Sequence, residues 1–279
     1  MPNISVGSHD LTYSFNGVED REDGLTLVLV HGAGGKFADW PVAWRSNADM
    51  TRLVGLTPKS HDGELDQYPV YAVDLPGHGD AGGTAHDTVD AYAEEIAAFL
   101  DALDLTNVFL IGHSMGAAID LTLAVQGNAR LASIALIGGS SKLIVSQAIL
   151  DGLQNEFEAT VDNIIRYSWH KKTTAFFKQK GRQRMLEAGS DVVYNDFLAC
   201  SRFDMDDQLD DLELPVLVIV STGDRMVPPE ASASMAERLK DCRHVVLEDC
   251  GHFQHMEQVG KVANELTDYL NQVLIPRQG

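Results

Sequence analysis

Cysteine is scarce in this chain of 279 residues, which contains only Cys200, Cys242 and Cys250. Three scattered thiols are too few for the disulfide framework of a small secreted protein. The spacing of cysteines and histidines also matches no metal-binding motif. We therefore expect neither a disulfide framework nor a metal site.

Basic residues are also few, since 21 lysines and arginines stand against 41 acidic residues and give a net charge of −20 at pH 7. A chain of this charge repels nucleic acids and anionic membranes, so we expect neither as a partner. We interpret the excess of acidic residues as a contribution to solubility.

Long apolar segments are absent from the sequence. No apolar run approaches the roughly 20 residues that a helix needs to span a bilayer. The segment from Met1 to Gly7 lacks the basic and then apolar order of a signal peptide. These absences predict a soluble, cytoplasmic protein.

Apolar residues nevertheless make up 44% of the sequence, enough for the core of one large α/β domain or two small ones. Continuous apolar runs, typical of strands buried on both faces, alternate with segments of helical periodicity. The predicted strands cover residues 25–30, 68–74, 107–111, 131–137, 215–220 and 244–247, after a hairpin within residues 4–15. The predicted helices cover residues 37–49, 87–103, 115–126, 229–240 and 255–273. This alternation predicts a doubly wound, mostly parallel α/β sheet.

Two segments interrupt the alternation. Residues 140–211 are helix-rich and polar and contain no candidate for a buried strand, so we interpret them as a helical lid. The lid would be inserted into a core formed by residues 1–139 and 212–279. Residues 51–67 are polar and include Pro58 and Gly63, which favours a surface excursion.

The strongest local motif is the pentapeptide Gly112-His113-Ser114-Met115-Gly116. A predicted strand precedes it and a predicted helix follows it, so Ser114 falls at a sharp strand-to-helix turn. Strand and helix nearly touch at such a turn, and Gly112 and Gly116 provide the space. A serine in this setting is typical of a nucleophile elbow, and an ordinary turn between strand and helix is the alternative.

A serine nucleophile needs a base to take its proton and a third group to orient that base. In an open parallel sheet, ligands bind beyond the carboxyl ends of the strands. His252 follows the last predicted strand, and Asp224 follows the strand before it. Glu248 and Asp249 are alternative acids, but they lie so close to His252 in the sequence that we favour Asp224.

Together these motifs resemble the α/β-hydrolase fold proteins of the lidded serine esterase type. The resemblance covers nearly the whole chain, and the order Ser114, Asp224, His252 matches the order of nucleophile, acid and base in that family. It rests on His31-Gly32, residues 74–79, residues 112–116, residues 224–228 and Gly251-His252.

The resemblance implies the remaining parts of the site. The backbone N–H groups of Ala33 and Met115 would form the oxyanion hole. The substrate pocket would include Gly32, Gly34, His113, Trp169, Val227 and Phe253. The reaction would need no cofactor and no metal, and a monomer or homodimer would act on a small-molecule acyl substrate.

The serine nucleophile distinguishes the chain from the haloalkane dehalogenase and epoxide hydrolase relatives, which use an aspartate. Residues 250–257 are similar to the ends of carbon–carbon bond hydrolases of aromatic ring degradation, although those usually carry Trp where this chain has Phe253. We therefore predict a carboxylic-ester hydrolase. The first alternative is a carbon–carbon bond hydrolase or thioesterase on the same triad, and the second is a non-catalytic ligand receptor.

One stretch of the predicted lid is basic. Residues 166–184 contain 7 of the 21 lysines and arginines, together with 4 aromatic residues. The stretch is either a solvated outer face whose aromatic side chains pack onto the body, or a patch that attracts an acyl donor of negative charge.

Overall fold

The computed structural model describes residues 1–18, 24–46 and 65–274. In these residues the chain forms an eight-stranded sheet of order β1-β2-β4-β3-β5-β6-β7-β8. The strands are β1 (Asn3–Val6), β2 (His9–Phe15), β3 (Thr26–Val30), β4 (Val70–Val73), β5 (Val108–His113), β6 (Leu131–Ile137), β7 (Val216–Ser221) and β8 (Cys242–Leu247). Strands β1 and β2 pair antiparallel at one edge, and β3 to β8 are parallel. The predicted doubly wound, mostly parallel sheet is confirmed.

Helices follow most of the parallel strands. The α-helices of the described residues are α1 (Val89–Ala102), α2 (Met115–Val125), α3 (Gln147–Asn155), α4 (Phe157–Ser168), α5 (Ala175–Ala188), α6 (Ser190–Arg202), α7 (Pro229–Arg238), α8 (Gln254–Glu257) and α9 (Val259–Tyr269). Short 3₁₀ turns cover Phe37–Asp39, Leu65–Gln67 and Asp206–Asp211, and a π-helical turn covers Leu270–Leu274. Within these described segments, none of the helices has the length and apolar character that crossing a membrane requires.

The central strands are buried on both faces. Every side chain of β3 and β5 is buried, which explains why these strands read as continuous apolar runs. Alternate residues of β5 join opposite apolar clusters, because successive side chains of a strand point to opposite faces. Val108 and Leu110 pack with α1 and α2 on one face, while Phe109 and Ile111 pack with Trp44 and α9 on the other.

The segment between β6 and β7 is helical and contains α3, α4, α5 and α6. Their apolar faces form a third cluster, which includes Leu153, Val161 and Val193. We call this segment the helical insertion (residues 140–211). Its action as a lid, and the division of the chain into an insertion and a core at these boundaries, stay predictions.

The predicted helix over residues 37–49 is wrong for the part of it that the structure describes. Phe37–Asp39 form a single 3₁₀ turn, and Trp40 is extended with φ −76° and ψ 144°. Pro41 explains the break, because a residue before proline is disfavoured in the helical region and proline itself has no N–H. Trp40 and Trp44 are still buried side by side, with ring centroids 5.9 Å apart.

Two other predicted segments differ from the structure or lie partly outside the described residues. The predicted surface excursion falls for residues 51–64 outside the described residues, and Leu65–Gln67 form a 3₁₀ turn at its end. The predicted helix over residues 255–273 is divided into α8, α9 and the π-helical turn. Its first break lies at Gln258, whose φ of −134° and ψ of 53° are not helical.

Candidate active site

Ser114 occupies the sharp turn between β5 and α2. Its φ of 55° and ψ of −114° lie outside the ordinary regions for a residue with a side chain. The flanking glycines have no room for a side chain. A Cβ on Gly112 would lie 2.4 Å from the carbonyl oxygen of Gly116, and a Cβ on Gly116 would lie 2.2 Å from that of Val30. The close approach predicted from the pentapeptide is therefore present.

Three side chains from separate loops form one chain of hydrogen bonds. The Nε2 atom of His252 lies 2.8 Å from the Oγ of Ser114, and its Nδ1 lies 2.8 Å from Oδ2 of Asp224. Asp224 follows β7 and His252 follows β8, so the carboxyl ends of neighbouring parallel strands bring them together. Asp249, an alternative acid in the sequence, instead pairs with Lys172 at 2.7 Å on the surface.

The Asp224 carboxylate is held in its charged form. Burial opposes ionisation, but His252 and the backbone N–H groups outweigh it and lower the pKa of Asp224 below its ordinary value. Oδ1 accepts the N–H groups of Met226 at 2.8 Å and Val227 at 3.0 Å. An ionised Asp224 accepts the Nδ1–H of His252, which leaves Nε2 free to accept the proton of the Ser114 hydroxyl.

The His252 loop is fixed by contacts on three sides. Its backbone N–H donates to the carbonyl of Ser168 at the end of α4, over 2.7 Å. Nε2 of His113 lies 2.9 Å from the His252 carbonyl, and the amide of Gln254 donates to Asp224 over 3.2 Å. The backbone of His252 is therefore held by hydrogen bonds to both the sheet and the helical insertion.

The predicted oxyanion donors come from two segments, the loop after β3 and the start of α2. Ala33 belongs to the loop after β3, and Met115 is the first residue of α2, where an N–H has no acceptor within its own helix. Within the described residues, neither N–H is hydrogen-bonded to the protein. Their role as an oxyanion hole stays a prediction.

A cavity of about 360 Å³ opens beside Ser114 and His252. All six residues of the predicted substrate pocket are at its wall, namely Gly32, Gly34, His113, Trp169, Val227 and Phe253. The wall is mainly apolar. Trp169 of the helical insertion and Phe253 of the His252 loop stack there with ring centroids 4.4 Å apart. This size and lining suit a small organic substrate.

The basic stretch divides into an outer and an inner part. Arg182 pairs with Asp162 at 2.5 Å and Glu158 at 3.3 Å on the surface of the insertion. Lys180 and Arg184 instead line the cavity. The inner part is the one that a substrate could contact.

Buried histidines next to the serine stay uncharged. Burial is the main cause that lowers the pKa of His113 well below its ordinary value, and the neighbouring histidines lower it further. The same causes lower the pKa of His255 to about 3. A neutral His113 can donate its Nε2–H to the His252 carbonyl, so it supports the loop without adding a charge.

Sequence reasoning missed Asp196, a buried carboxylate in α6 of the helical insertion. It contacts Gly34 of the predicted oxyanion loop, His78 and Tyr92. His78 lies in the motif of residues 74–79, and this histidine was a sequence signal close to Asp196. A single aspartate inside a polar helix carries no such signal.

A mostly parallel sheet, a serine at a strained strand-to-helix turn and a His–Asp pair beside it define a hydrolase of the α/β type. Residues 27–265 match the model of the alpha/beta hydrolase family. The chain belongs to this family.

The relatives have several activities. A dihydrolipoyllysine-residue acetyltransferase component of an acetoin cleaving system from Pseudomonas putida is 29% identical over 265 residues, which cover 89% of this chain and 64% of that protein. The chain thus spans less than two thirds of that relative. A pimeloyl-[acyl-carrier protein] methyl ester esterase from Neisseria meningitidis is 27% identical over 221 residues, 74% of this chain and 70% of the esterase. A 2-hydroxy-6-oxo-2,4-heptadienoate hydrolase from Pseudomonas putida is 26% identical over 274 residues, 91% of each chain.

The same fold occurs in a solved structure of a thermophilic esterase from Thermogutta terrifontis. The TM-score is 0.80, the sequence identity is 23%, and the match covers 98% of both chains. At this identity the likeness shows the fold alone.

Proposed function

We propose that the protein is a carboxylic-ester hydrolase that acts through an acyl-enzyme on Ser114. The observation that carries the proposal is the continuous hydrogen-bond chain from Ser114 through His252 to Asp224 at the wall of an apolar cavity. The pimeloyl-[acyl-carrier protein] methyl ester esterase among the relatives supports an ester substrate.

The first half of the reaction forms the acyl-enzyme. The Oγ of Ser114 attacks the ester carbonyl carbon while Nε2 of His252 takes the hydroxyl proton. The negative charge that develops on the carbonyl oxygen is stabilised by the N–H groups of Ala33 and Met115, each worth about 2.7–4 kcal/mol in comparable sites. The intermediate collapses, the C–O bond to the alcohol breaks, and His252 gives its proton to the leaving oxygen.

The second half repeats the same steps with water. His252 takes a proton from water as it attacks the acyl carbon, and the bond to Ser114 then breaks. The proton returns to Oγ, the acid leaves, and the enzyme is regenerated. Throughout, Asp224 stays ionised and holds the tautomer of His252.

A carbon–carbon bond hydrolase is the second candidate. The 2-hydroxy-6-oxo-2,4-heptadienoate hydrolase among the relatives favours it, and the same serine and histidine could serve that reaction. Phe253 occupies the position where those enzymes usually have Trp, and this difference favours the ester reaction. A thioester substrate would use the ester mechanism with a thiol as the leaving group.

The test compares p-nitrophenyl esters of increasing acyl length with a vinylogous diketone. We expect turnover of the esters and at most slow cleavage of the diketone. Ser114→Ala should lower ester turnover by several orders of magnitude without unfolding the protein. Ser146→Ala is the matched control, because Ser146 also lines the cavity but its side chain does not cap its helix.

Three results would contradict the proposal. If Ser114→Ala turned over esters near the wild-type rate, Ser114 would not be the nucleophile. Efficient cleavage of the diketone alone would favour the carbon–carbon bond reaction. Absence of turnover, together with no covalent labelling by a serine-directed phosphonate, would favour a non-catalytic ligand receptor.

A further inference from the structure

Asp196 is a fully buried carboxylate that joins the helical insertion to the core. Its Oδ2 accepts the backbone N–H of Gly34 over 2.7 Å and lies 2.8 Å from Nε2 of His78. Its Oδ1 accepts the hydroxyl of Tyr92 in α1 over 2.6 Å. Hydrogen bonds to a charged group in a buried setting are among the strong ones, so this contact fixes Gly34 relative to α6.

The ring of His78 is surrounded by acceptors, so it carries both of its protons. Nδ1 lies 3.0 Å from the Pro76 carbonyl, and Nε2 faces the Asp196 carboxylate. Burial opposes a charged imidazole, but Asp196 outweighs it and the pKa of His78 is raised. The Asp196 side chain thus faces a positively charged partner inside the protein.

Ala33 is held on both sides by buried hydrogen bonds. On one side, the carbonyl of Gly32 lies 2.9 Å from Nδ1 of His31, whose Nε2 accepts the N–H of Leu75 over 3.1 Å. Since Nε2 accepts, Nδ1 carries the proton and donates it to Gly32. On the other side, Gly34 donates to Asp196. The direction of the Ala33 N–H is set by the two peptide units between these anchors.

The loop also packs directly on the insertion. Gly34 has a φ of +61°, and a Cβ there would lie 3.1 Å from Cγ of Met185 and 3.2 Å from Cγ2 of Val193. Met185 belongs to α5, and Val193 belongs to α6. The loop therefore has little free space on the side of the insertion, and the hydrogen bond to Asp196 joins it to α6.

We infer that Asp196 is a positioning residue for catalysis, which acts through Gly34 to aim the N–H of Ala33 at the oxyanion of the reaction. The inference rests on the proposed function. It assigns the helical insertion a task in the chemical step, in addition to forming the wall of the cavity.

The test variant is Asp196→Asn, which keeps the shape of the side chain and removes its charge. An amide has one acceptor oxygen, so it cannot accept from Gly34, His78 and Tyr92 as the carboxylate does. We expect kcat to fall about 10- to 100-fold, below the loss of about 10²–10³ that follows removal of a whole oxyanion donor. KM should change less than twofold, about the limit of measurement, because Asp196 itself is not among the described residues of the cavity wall.

The matched control is Tyr92→Phe. It removes a hydrogen bond from the same carboxylate but leaves the bonds to Gly34 and His78 in place. Both variants should lower the thermal midpoint, because both disturb a buried hydrogen bond. Only Asp196→Asn should lower kcat.

A trifluoromethyl ketone separates positioning from general loss of stability. It adds to Ser114 and places an oxyanion where the reaction does, whereas the matching alcohol binds the cavity without forming one. We expect Asp196→Asn to weaken ketone binding by the same factor as kcat/KM and to leave alcohol binding unchanged. Tyr92→Phe should change neither.

Two outcomes would overturn the inference while the proposed function stands. The first is a folded Asp196→Asn with the kcat and ketone affinity of Tyr92→Phe. If Asp196→Asn does not fold, the second is a His78→Gln variant with the kcat and ketone affinity of Tyr92→Phe, since loss of the balancing cation should also disturb Asp196. A wild-type protein that neither turns over esters nor binds the ketone would overturn the proposed function itself.

Discussion

Gly116 shows how closely the backbone constrains the serine turn. A Cβ at this position would lie 2.2 Å from the carbonyl oxygen of Val30, and a backbone atom inside the sheet cannot move aside. We predict that Gly116→Ala lowers the free energy of unfolding by more than about 3 kcal/mol, measured by urea denaturation. Gly127→Ala is the control, with a φ of +71° and open space around its Cβ, and should lose only about 1–2 kcal/mol. Equal losses would contradict the close approach.

His255 gives the stability of the protein a defined pH dependence. Its pKa in the folded state is about 3, whereas an unfolded histidine titrates near about 6.5. Between these values the unfolded chain binds more protons, so this stabilisation is complete above about pH 6.5 and is lost as the pH falls. His255→Leu removes the titrating group.

We therefore predict that the unfolding free energy depends on pH differently in His255→Leu and in the wild type. From about pH 6 to about pH 4, the unfolding free energy of His255→Leu minus that of the wild type should rise by about 1.4 kcal/mol per pH unit. Urea denaturation at each pH measures the difference. A difference that stays constant with pH would mean that folded His255 takes up a proton as readily as the unfolded residue.

At this scale the sequence was enough to predict that Ser114, His252 and Asp224 lie together, because each follows a predicted strand and the sheet brings strand ends together. Asp196 could not be found in this way. Its partners are 104 to 162 residues away in the chain, and no local pattern marks a buried aspartate within a polar helix.

Among the elements, the strands were predicted well and the segment after β3 was not. Apolar runs define buried strands because both faces of the sheet are covered. At residues 37–46 the spacing of Trp40 and Trp44 suggested a helix, although Pro41 between them opposes one. Both tryptophans are buried without helical structure, so apolar spacing alone was a poor guide there.

Helix α8 ties the insertion to the His252 loop through Glu257. Its carboxylate accepts the N–H groups of Gly251 at 2.8 Å and His170 at 3.1 Å, as well as the hydroxyl of Thr173. We predict that Glu257→Ala loosens the segment after α4, so that trypsin cuts faster at Lys171 and Lys172, and that kcat falls at least about fivefold.

Glu265→Ala is the matched control for this prediction. Glu265 pairs with Arg243 at 2.7 Å away from the insertion, so its loss should change neither the cleavage pattern nor kcat. If Glu257→Ala and Glu265→Ala were cut at the same rate by trypsin, Glu257 would not fasten this segment.

Helix α5 presents basic side chains to two different environments. Lys180 lines the cavity, whereas Lys178 is not among the described residues of its wall. If the substrate carries a negative charge, Lys180→Gln should lower kcat/KM for p-nitrophenyl glutarate about two- to fivefold and spare p-nitrophenyl pentanoate. Lys178→Gln is the control, and added salt should reduce the difference. Equal effects on both esters would assign Lys180 to packing.

In the whole molecule, residues of the strand ends and of the helical insertion together line the candidate site. Two apolar clusters cover the faces of the sheet, and a third belongs mainly to the helical insertion. The alternation of strands and helices was enough to predict the sheet. The way in which the insertion packs was not predictable, because it depends on contacts such as Ser168 with His252 and Asp196 with Gly34 that join distant parts of the chain.

The proposed function requires that an ester substrate acylates Ser114. The most direct measurement is to mix the protein with a p-nitrophenyl ester, quench with acid within the first turnover, and locate the added acyl mass by peptide mass spectrometry. We expect an acyl group on the peptide that contains Ser114, formed together with a burst of p-nitrophenol, and its absence in Ser114→Ala. An acyl group on another residue, or ester turnover with no acylated intermediate and undiminished in Ser114→Ala, would contradict it.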